Sequence, residues 1–303
     1  MSYCVNCAKE YAEASGICPN CHSDQRIPNE IIEVVLSRNK ARPPKPHDLK
    51  FGFPGEKGAL ILSVVISLIL AAILGTISFG LFLVVLIVSL IGLKLNHIST
   101  QKNMIRVSED NFKDIFILAK LAAFRLNLGT PEVYVVHDPQ YNAYTMGFYK
   151  YGFVVLNSKL VSDFKPSQLM YVIGHELGHM KRYHTTWLSL LNPAKAGSAK
   201  FVFAPVMRVI FNVWSVKAEY TADQAGLIAC KDLDAAIGSL LKIAGGEDVE
   251  KEVDYTKIAR PQGEAAELLS GVAEYLGTHP FIENRINQLK DFSSRMKAIE
   301  TDR

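Results

Sequence analysis

The longest apolar stretch of the chain runs from Gly58 to Leu93 and contains no charged residue. As a single helix it would be about 54 Å long at 1.5 Å per residue. A hydrocarbon core is about 30 Å thick, so that helix would have to tilt beyond the usual range. Glycines that bracket polar residues interrupt the stretch near residues 75–80. We therefore expect a transmembrane helical hairpin over residues 58–94; the alternative is a buried hairpin in a soluble core.

From Ser108 onward the pattern changes to that of a globular domain. Apolar residues at helical spacing predict a helix that begins at Ser108 and ends before Gly129. Alternating runs then predict strands at Glu132–His137, Ala143–Tyr149 and Phe153–Leu156. Pro166 suits the first turn of the next helix, and the rest of the domain is mostly helical. The domain, residues 95–303, is thus predicted to be α+β, mainly helical, with a small β-sheet.

Basic residues flank the apolar stretch on both sides: Arg38, Lys40, Arg42, Lys45, Lys50 and Lys57 before it, and Lys94, Lys102 and Arg106 after it. Positive charge marks the cytoplasmic side of a membrane, and a hairpin places both its ends on one side. We expect a multi-pass protein of the cytoplasmic membrane, in contact with the lipid bilayer, whose soluble parts both face the cytoplasm. The net charge of +3 gives little support to nucleic-acid binding.

Four of the five cysteines lie within the first 21 residues, as the pairs Cys4–Cys7 and Cys18–Cys21. Two thiolate pairs of this spacing can complete a closed tetrahedral zinc site. We predict a zinc ribbon over residues 1–26, held by one structural Zn²⁺ and followed by a linker over residues 27–57. Because aromatic and basic residues are sparse there, docking of a protein partner is a better prediction than nucleic-acid binding.

A second metal site is predicted on the helix that follows Pro166. His175 and His179 are four residues apart and share one helix face, so both imidazoles can bind one ion. Glu176 emerges about 100° around the helix, where it can reach a metal-bound water. The alternative, a helix with two solvated histidines, is disfavoured because apolar neighbours predict that this helix is buried.

Two histidines leave a zinc site incomplete, so a third ligand must come from elsewhere in the chain. Glu219 and Asp223 share one face of a later helix. One of these carboxylates could bind zinc while the other orients a ligating imidazole. Spacing alone does not say which; a solvated acidic face is the alternative for the pair.

Together these features resemble the M48 peptidases, which include the HtpX-like gluzincins. Further matches are the Asn-Ala run at Asn142–Ala143, and His279-Pro280 followed by Arg285. The resemblance implies a zincin-type metallopeptidase domain and zinc-dependent endopeptidase activity on membrane or misfolded proteins. It also implies residue roles: His175, His179 and Glu219 as ligands of a catalytic Zn²⁺, Glu176 as the base, Asp223 outside the ligand set, Asn142 and Ala143 on the strand near the cleft, and His279 and Arg285 at the cleft.

The predicted function is that of a membrane-anchored zinc endopeptidase acting on protein or peptide substrates. We further expect His279 to donate to the oxyanion, residues 142–145 to pair with an extended substrate, and His184 to be a surface histidine. The segment from Trp187 to Trp214 is expected to be amphipathic, at the membrane interface or in the cytoplasm. The main alternative is a membrane-tethered zinc-ribbon scaffold with a vestigial peptidase site; a small-molecule hydrolase is disfavoured.

Overall fold

The structure is a computed structural model, and it describes residues 2–4, 10–11, 17–19, 26–28, 51–69, 72, 104–148, 151–191, 204–258 and 281–301. Three predicted site residues, Cys7, Cys21 and His279, lie outside these ranges, as does most of the predicted hairpin. Among the described residues, no helix is both long enough and apolar enough to cross a membrane.

The described strands are β1 (Ser2–Cys4), β2 (Glu10–Tyr11), β3 (Arg26–Pro28), β4 (Ile105–Arg106), β5 (Glu132–Val136), β6 (Ala143–Phe148) and β7 (Tyr151–Asn157). The helices are α1 (Lys113–Arg125), α2 (Ser158–Asp163), α3 (Pro166–Lys181), α4 (His184–Leu191), α5 (Ala204–Cys230), α6 (Leu233–Gly245), α7 (Glu247–Glu252) and α8 (Ile282–Thr301). Tyr255–Lys257 form a 3-10 turn. Residues 56–69 are also helical, and we call them the N-terminal helix.

The main sheet is small and mixed, with the strand order β4-β5-β7-β6. β5 and β7 pair in parallel, while β6 pairs antiparallel with β7 and forms one edge of the described sheet. Helices make up most of the rest of the described domain. The prediction of a mainly helical α+β domain with a small sheet is therefore confirmed. A separate antiparallel sheet, β2-β1-β3, lies within the cysteine-bearing segment.

Helix α1 begins later than predicted, at Lys113 instead of Ser108. The Ser108 hydroxyl accepts a hydrogen bond from the Asn111 N–H, which closes a local turn in place of the first helical turn. Phe112 follows with a φ of 58°, a left-handed conformation that cannot belong to a right-handed helix. A serine can cap a helix or close a turn, and the sequence pattern did not distinguish the two.

Helices α3 and α5 pack unusually close together because small residues line their contact. A Cβ atom added at Gly174 would lie 2.4 Å from the Cβ of Ala229, and one added at Gly178 would lie 2.7 Å from the Cβ of Ala225. Such distances are too short for real Cβ atoms, so both positions require glycine. This approach brings His175 and His179 of α3 within reach of the acidic residues of α5.

The N-terminal helix packs on the outside of α5 through an apolar cluster. Its members are Ala59, Leu60 and Val64 of the N-terminal helix, Trp187 of α4, and Phe211, Trp214 and Ala218 of α5. Trp187 and Trp214, the ends of the segment predicted to be amphipathic, thus meet in this cluster, and Trp214 is fully buried. Residues 192–203 of that segment lie outside the described residues.

Candidate metal centre

Three potential ligand atoms converge between α3 and α5. The Nε2 atoms of His175 and His179 are 3.1 Å apart, and the Glu219 carboxylate oxygens lie 3.6 Å from the first and 3.7 Å from the second. Ligands held about 2.0–2.1 Å from a tetrahedral zinc are roughly 3.3 Å from one another. Two imidazoles and a carboxylate at these separations fit a zinc ion that keeps a fourth position open. In the part of the chain that the structure describes, this is the one such cluster found.

The charges of these groups suit metal binding. Burial lowers the pKa of His179 well below its ordinary value, which keeps a lone pair on the imidazole. Burial would raise the pKa of Glu219, but the nearby charges of His179, Arg285 and His175 outweigh it and lower the pKa to about 2. His179 therefore offers a neutral nitrogen and Glu219 an anionic oxygen, the protonation states that metal binding requires. Burial would lower the pKa of His175, but the hydrogen bond and charge of Asp223 outweigh burial and raise it.

Asp223 lies behind His175 and not at the convergence point. Its Oδ1 is 3.0 Å from Nδ1 of His175, on the opposite side of the ring from Nε2. Asp223 accepts further hydrogen bonds from the Tyr171 hydroxyl at 2.8 Å and from Arg285 Nε and Nη2 at 2.8 and 2.6 Å. Burial would raise the pKa of Asp223, but the Arg285 charge outweighs it and holds the pKa well below its usual range. A permanent carboxylate therefore fixes the orientation of His175.

The hydrogen bonds to Asp223 hold Arg285 beside the candidate metal ligands. Its Nη2 also lies 3.7 Å from Oε2 of Glu219, so the guanidinium bridges the two acidic residues of α5. The family resemblance implied that Arg285 lies at the cleft, but the sequence did not suggest its pairing with Glu219 and Asp223. The predicted contact between Arg285 and substrate stays a prediction, since the paired guanidinium nitrogens described here face carboxylates of the protein itself.

The candidate base, Glu176, is buried and held by a residue that sequence reasoning missed. The Thr145 hydroxyl of strand β6 is 2.7 Å from Oε2 of Glu176 and 3.1 Å from its backbone oxygen. Burial raises the pKa of Glu176, while the charge of His175 and the Thr145 hydrogen bond act in the opposite direction. The side chain lies on α3 next to the candidate ligands, with a pKa closer to neutrality than that of a free glutamate.

His184 is not the surface histidine that the sequence predicted. It is 1% exposed, and its Nδ1 is 3.0 Å from Nδ1 of His179. On an uninterrupted helix a residue five positions after His179 would point about 140° away from it. However, α3 ends at Lys181, and Tyr183 adopts a φ of 59° before α4 begins. This reversal turns His184 back beneath His179, and no sequence pattern that we recognised signalled it.

The remaining predicted residues are described only in part. Asn142 is exposed and directly precedes β6, and Ala143 is the first residue of that strand, two residues before Thr145. A substrate contact at either position stays a prediction. Cys4 and Cys18 are both buried. Because their predicted partners lie outside the described residues, the four-cysteine zinc site also stays a prediction.

Comparison with known proteins agrees with this geometry. The profile of Peptidase family M48 matches residues 115–293, more than half of the chain. The chain is 32% identical over 146 residues to the "Plastoglobule-localized metallopeptidase 48, chloroplastic" of Arabidopsis thaliana, covering 46% of this chain and 42% of that protein. It is 25% identical over 224 residues to a "Protease HtpX homolog" of Bacteroides fragilis, covering 59% of this chain and 69% of the relative. A "Protease HtpX homolog" of Streptococcus agalactiae is 23% identical over 287 residues, covering 78% and 96% respectively.

The matched range contains all four residues of the candidate centre, His175, Glu176, His179 and Glu219, as well as Asp223 and Arg285 behind them. The region that carries the family match is therefore the region that builds the metal centre. The chain belongs to peptidase family M48 and is a metallopeptidase.

Proposed function

We propose that the chain is a membrane-anchored, zinc-dependent endopeptidase. The observation that carries this proposal is the convergence of His175, His179 and Glu219 on one point, with the Glu176 carboxylate beside them on the same helix. A solvated acidic face or two unpartnered histidines would not place three donor atoms within 4.8 Å of one another. His175, His179 and Glu219 are the residues that would hold the zinc.

The proposed chemistry is hydrolysis of an amide bond. A zinc ion bound here would lower the pKa of a water molecule to about 7 and polarise the scissile carbonyl. Glu176 accepts the proton of that water and passes it to the leaving nitrogen. Thr145 holds the Glu176 carboxylate in place, and Asp223 keeps His175 in the orientation that directs Nε2 to the metal.

Substrate binding is proposed along strand β6. β6 forms an edge of the described sheet, and its residue Thr145 contacts Glu176 directly. An extended peptide added to this edge would therefore run past the base. Asn142 and Ala143 lie at the start of the strand and are proposed to contact the substrate, together with Arg285. His279 is proposed as the donor to the oxyanion.

The proposed substrates are membrane or misfolded proteins. The relatives from Bacteroides fragilis and Streptococcus agalactiae are each named "Protease HtpX homolog", which supports peptide-bond hydrolysis as the activity. Addition of a substrate strand to β6 requires an extended peptide, and unfolded or partly unfolded proteins supply such segments.

Membrane attachment is proposed through the hairpin over residues 58–94. The first part of this segment is described, and its N-terminal helix exposes large apolar side chains on the face that does not pack on α5. Ile61, Leu62 and Leu68 are each at least 60% exposed. Apolar surface of this kind is costly in water and is stabilised in a lipid bilayer. Both soluble parts are proposed to face the cytoplasm, which cysteine labelling in oriented vesicles would test.

A second, structural zinc is proposed in the N-terminal ribbon, with Cys4, Cys7, Cys18 and Cys21 as its ligands. The burial of Cys4 and Cys18, and the small sheet that includes Cys4, support this arrangement. A segment this short does not build a large core, so metal binding would supply much of its folding free energy. The ribbon is proposed to dock a protein partner.

The activity is tested by incubating the full chain with an unfolded protein such as reduced casein, with and without a metal chelator. We expect cleavage within the substrate chain, loss of cleavage with the chelator, and recovery when Zn²⁺ is restored. A scaffold with a vestigial site would cleave nothing under any condition. A small-molecule hydrolase would leave casein intact and hydrolyse simple esters or amides in a chelator-sensitive way.

A further inference from the structure

Glu56, the first residue of the N-terminal helix, carries a buried carboxylate that the proposed mechanism does not use. The residue is 5% exposed. Its Oε1 lies 3.0 Å from Nε2 of His184 and 3.5 Å from Nη2 of Arg182, and its Oε2 accepts a hydrogen bond from the Thr221 hydroxyl. Burial raises the pKa of Glu56, but hydrogen bonds from His184 and Thr221 outweigh burial and lower it. Glu56 is therefore an anion beneath the metal centre.

His184 connects this anion to His179. The two Nδ1 atoms are 3.0 Å apart, so one of them donates a proton and the other accepts it. Since Nε2 of His179 must keep its lone pair for the metal, the proton of His179 lies on Nδ1 and is donated to His184. His184 then carries its own proton on Nε2, which is donated to Glu56. Each ring in the series is thereby confined to one tautomer.

The two histidines of the centre are supported in matching ways. His175 donates directly to the carboxylate of Asp223, whereas His179 reaches the carboxylate of Glu56 through one intervening imidazole. The two carboxylates come from different parts of the chain. Asp223 lies on α5 inside the region that matches the family profile, and Glu56 lies well before it.

The segment that carries Glu56 is fastened along α5. The Gly52 N–H donates to the Gln224 side-chain oxygen at 3.0 Å, and the Phe53 N–H donates to the Thr221 hydroxyl at 2.9 Å. Lys217 donates to the Pro54 carbonyl at 3.2 Å and lies over the Phe53 ring. Residues 52–56, all within the segment that sequence analysis predicted to be a linker, thus form a strap across the helix that supplies Glu219.

We propose that Glu56 and His184 are positioning residues of the metal centre, which orient the His179 imidazole, fix its tautomer and strengthen metal binding. This inference rests on the proposed function, because it takes His179 as a metal ligand. If it holds, the first residue of the N-terminal helix, which we propose to anchor the protein in the membrane, also helps to bind the metal. Supporting groups of this kind typically contribute 10–100-fold to metal affinity or activity.

The test measures Co²⁺ binding to the full chain in detergent micelles. Co²⁺ held by nitrogen and oxygen ligands has visible bands that differ from the intense thiolate bands of a cysteine site, so the two proposed sites are read separately. Glu56→Gln removes the charge but keeps an oxygen that can accept from His184. We expect it to weaken Co²⁺ binding at the histidine centre roughly 10–100-fold, while the metal-free protein stays folded.

The matched control is Lys217→Ala, which loosens the strap without touching Glu56, His184 or His179. We expect it to keep wild-type Co²⁺ affinity. An equal loss of affinity in Lys217→Ala and Glu56→Gln would assign the effect to the strap as a whole and overturn the proposal. Wild-type affinity in Glu56→Gln would overturn it as well.

A double-mutant cycle tests the route through His184. His184→Asn keeps an oxygen that can accept from Nδ1 of His179 but no longer reaches Glu56. If Glu56 acts through His184, adding Glu56→Gln to His184→Asn causes no further loss of affinity. If the two substitutions instead lower the Co²⁺ affinity by independent factors that multiply, Glu56 does not act through His184. Should Glu56→Gln fail to fold, His184→Asn alone carries the same expected loss, and unchanged affinity in it would overturn the proposal.

This experiment also separates failure of the inference from failure of the proposed function. His179→Ala serves as the reference in which the histidine centre is lost. If the wild-type chain shows no Co²⁺ signal that His179→Ala removes, the proposed metal centre is wrong. If that signal is present and Glu56→Gln leaves its affinity unchanged, only the role assigned to Glu56 is wrong.

Discussion

Gly174 of α3 lies against Ala229 of α5 so closely that a Cβ atom at position 174 would be 2.4 Å from the Ala229 methyl group. The same added Cβ atom would also lie 3.0 Å from the Gly226 Cα and 3.2 Å from the Ala225 backbone oxygen. A larger side chain at position 174 could be accommodated only if α3 or α5 moved as a whole. The separation of the two helices, and with it the distance from the histidines to Glu219, therefore depends on this glycine.

Gly174→Ala is expected to destabilise the protein by about 1–3 kcal/mol, because overpacking outweighs the roughly 1 kcal/mol that alanine gains over glycine in a helix. The shifted helices should also bind zinc less tightly. Thermal unfolding and a zinc titration would measure the two effects. Gly58→Ala is the matched control, since Gly58 is helical and nothing lies within 4 Å of its added Cβ. A Gly174→Ala protein as stable as Gly58→Ala would contradict the packing argument.

Thr145→Val is expected to lower kcat about 10–100-fold, because a hydrogen bond to a charged group contributes about 1.5–3 kcal/mol. The Thr145 hydroxyl lowers the pKa of Glu176, so its removal raises that pKa further above the ordinary glutamate value. Since the base must be deprotonated, the acid limb of the kcat profile should move to higher pH. Thr145→Ser keeps the hydroxyl and should behave like the wild type. A Thr145→Val enzyme with an unmoved acid limb would exclude this role.

Glu219→Ala and Asp223→Ala are expected to have different effects on zinc binding. Loss of Glu219 should strip metal from the centre, so that total zinc falls from about two ions per chain to about one. Asp223→Ala should retain the metal more weakly, by about 10–100-fold in affinity or activity. Metal analysis after dialysis, together with activity, measures both. Loss of zinc in Asp223→Ala with retention in Glu219→Ala would reverse the two assignments.

Sequence patterns predicted those features of the centre that lie within one helix. His175 and His179 share a face because of their spacing, and Glu219 and Asp223 share a face for the same reason. Spacing alone left open which carboxylate lies nearer the metal, and the family resemblance favoured Glu219. In the structure Glu219 is near both Nε2 atoms, while Asp223 contacts Nδ1 of His175.

Two contacts between elements that are distant in the chain, Thr145 with Glu176 and Glu56 with His184, were not predicted. Thr145 lies on a strand that precedes Glu176 by 31 residues, and Glu56 precedes His184 by 128. Periodicity gives the face that a residue occupies but not the element that packs against that face. An acidic residue at the border of an apolar run, as Glu56 is, was the one available signal, and a solvated residue gives the same signal. His184 was mispredicted because the chain reversal at Tyr183 has no clear sequence pattern.

The most direct test of the account is the zinc content and peptidase activity of Glu176→Gln, measured on the same preparation. Glutamine matches the shape of glutamate and its oxygen can still accept from Thr145, but the amide cannot take a proton from water. We expect unchanged zinc content and a loss of casein hydrolysis of at least about 100-fold, as for removal of a general base. Undiminished hydrolysis with zinc still bound would contradict the assignment of Glu176 as the base of a zinc peptidase.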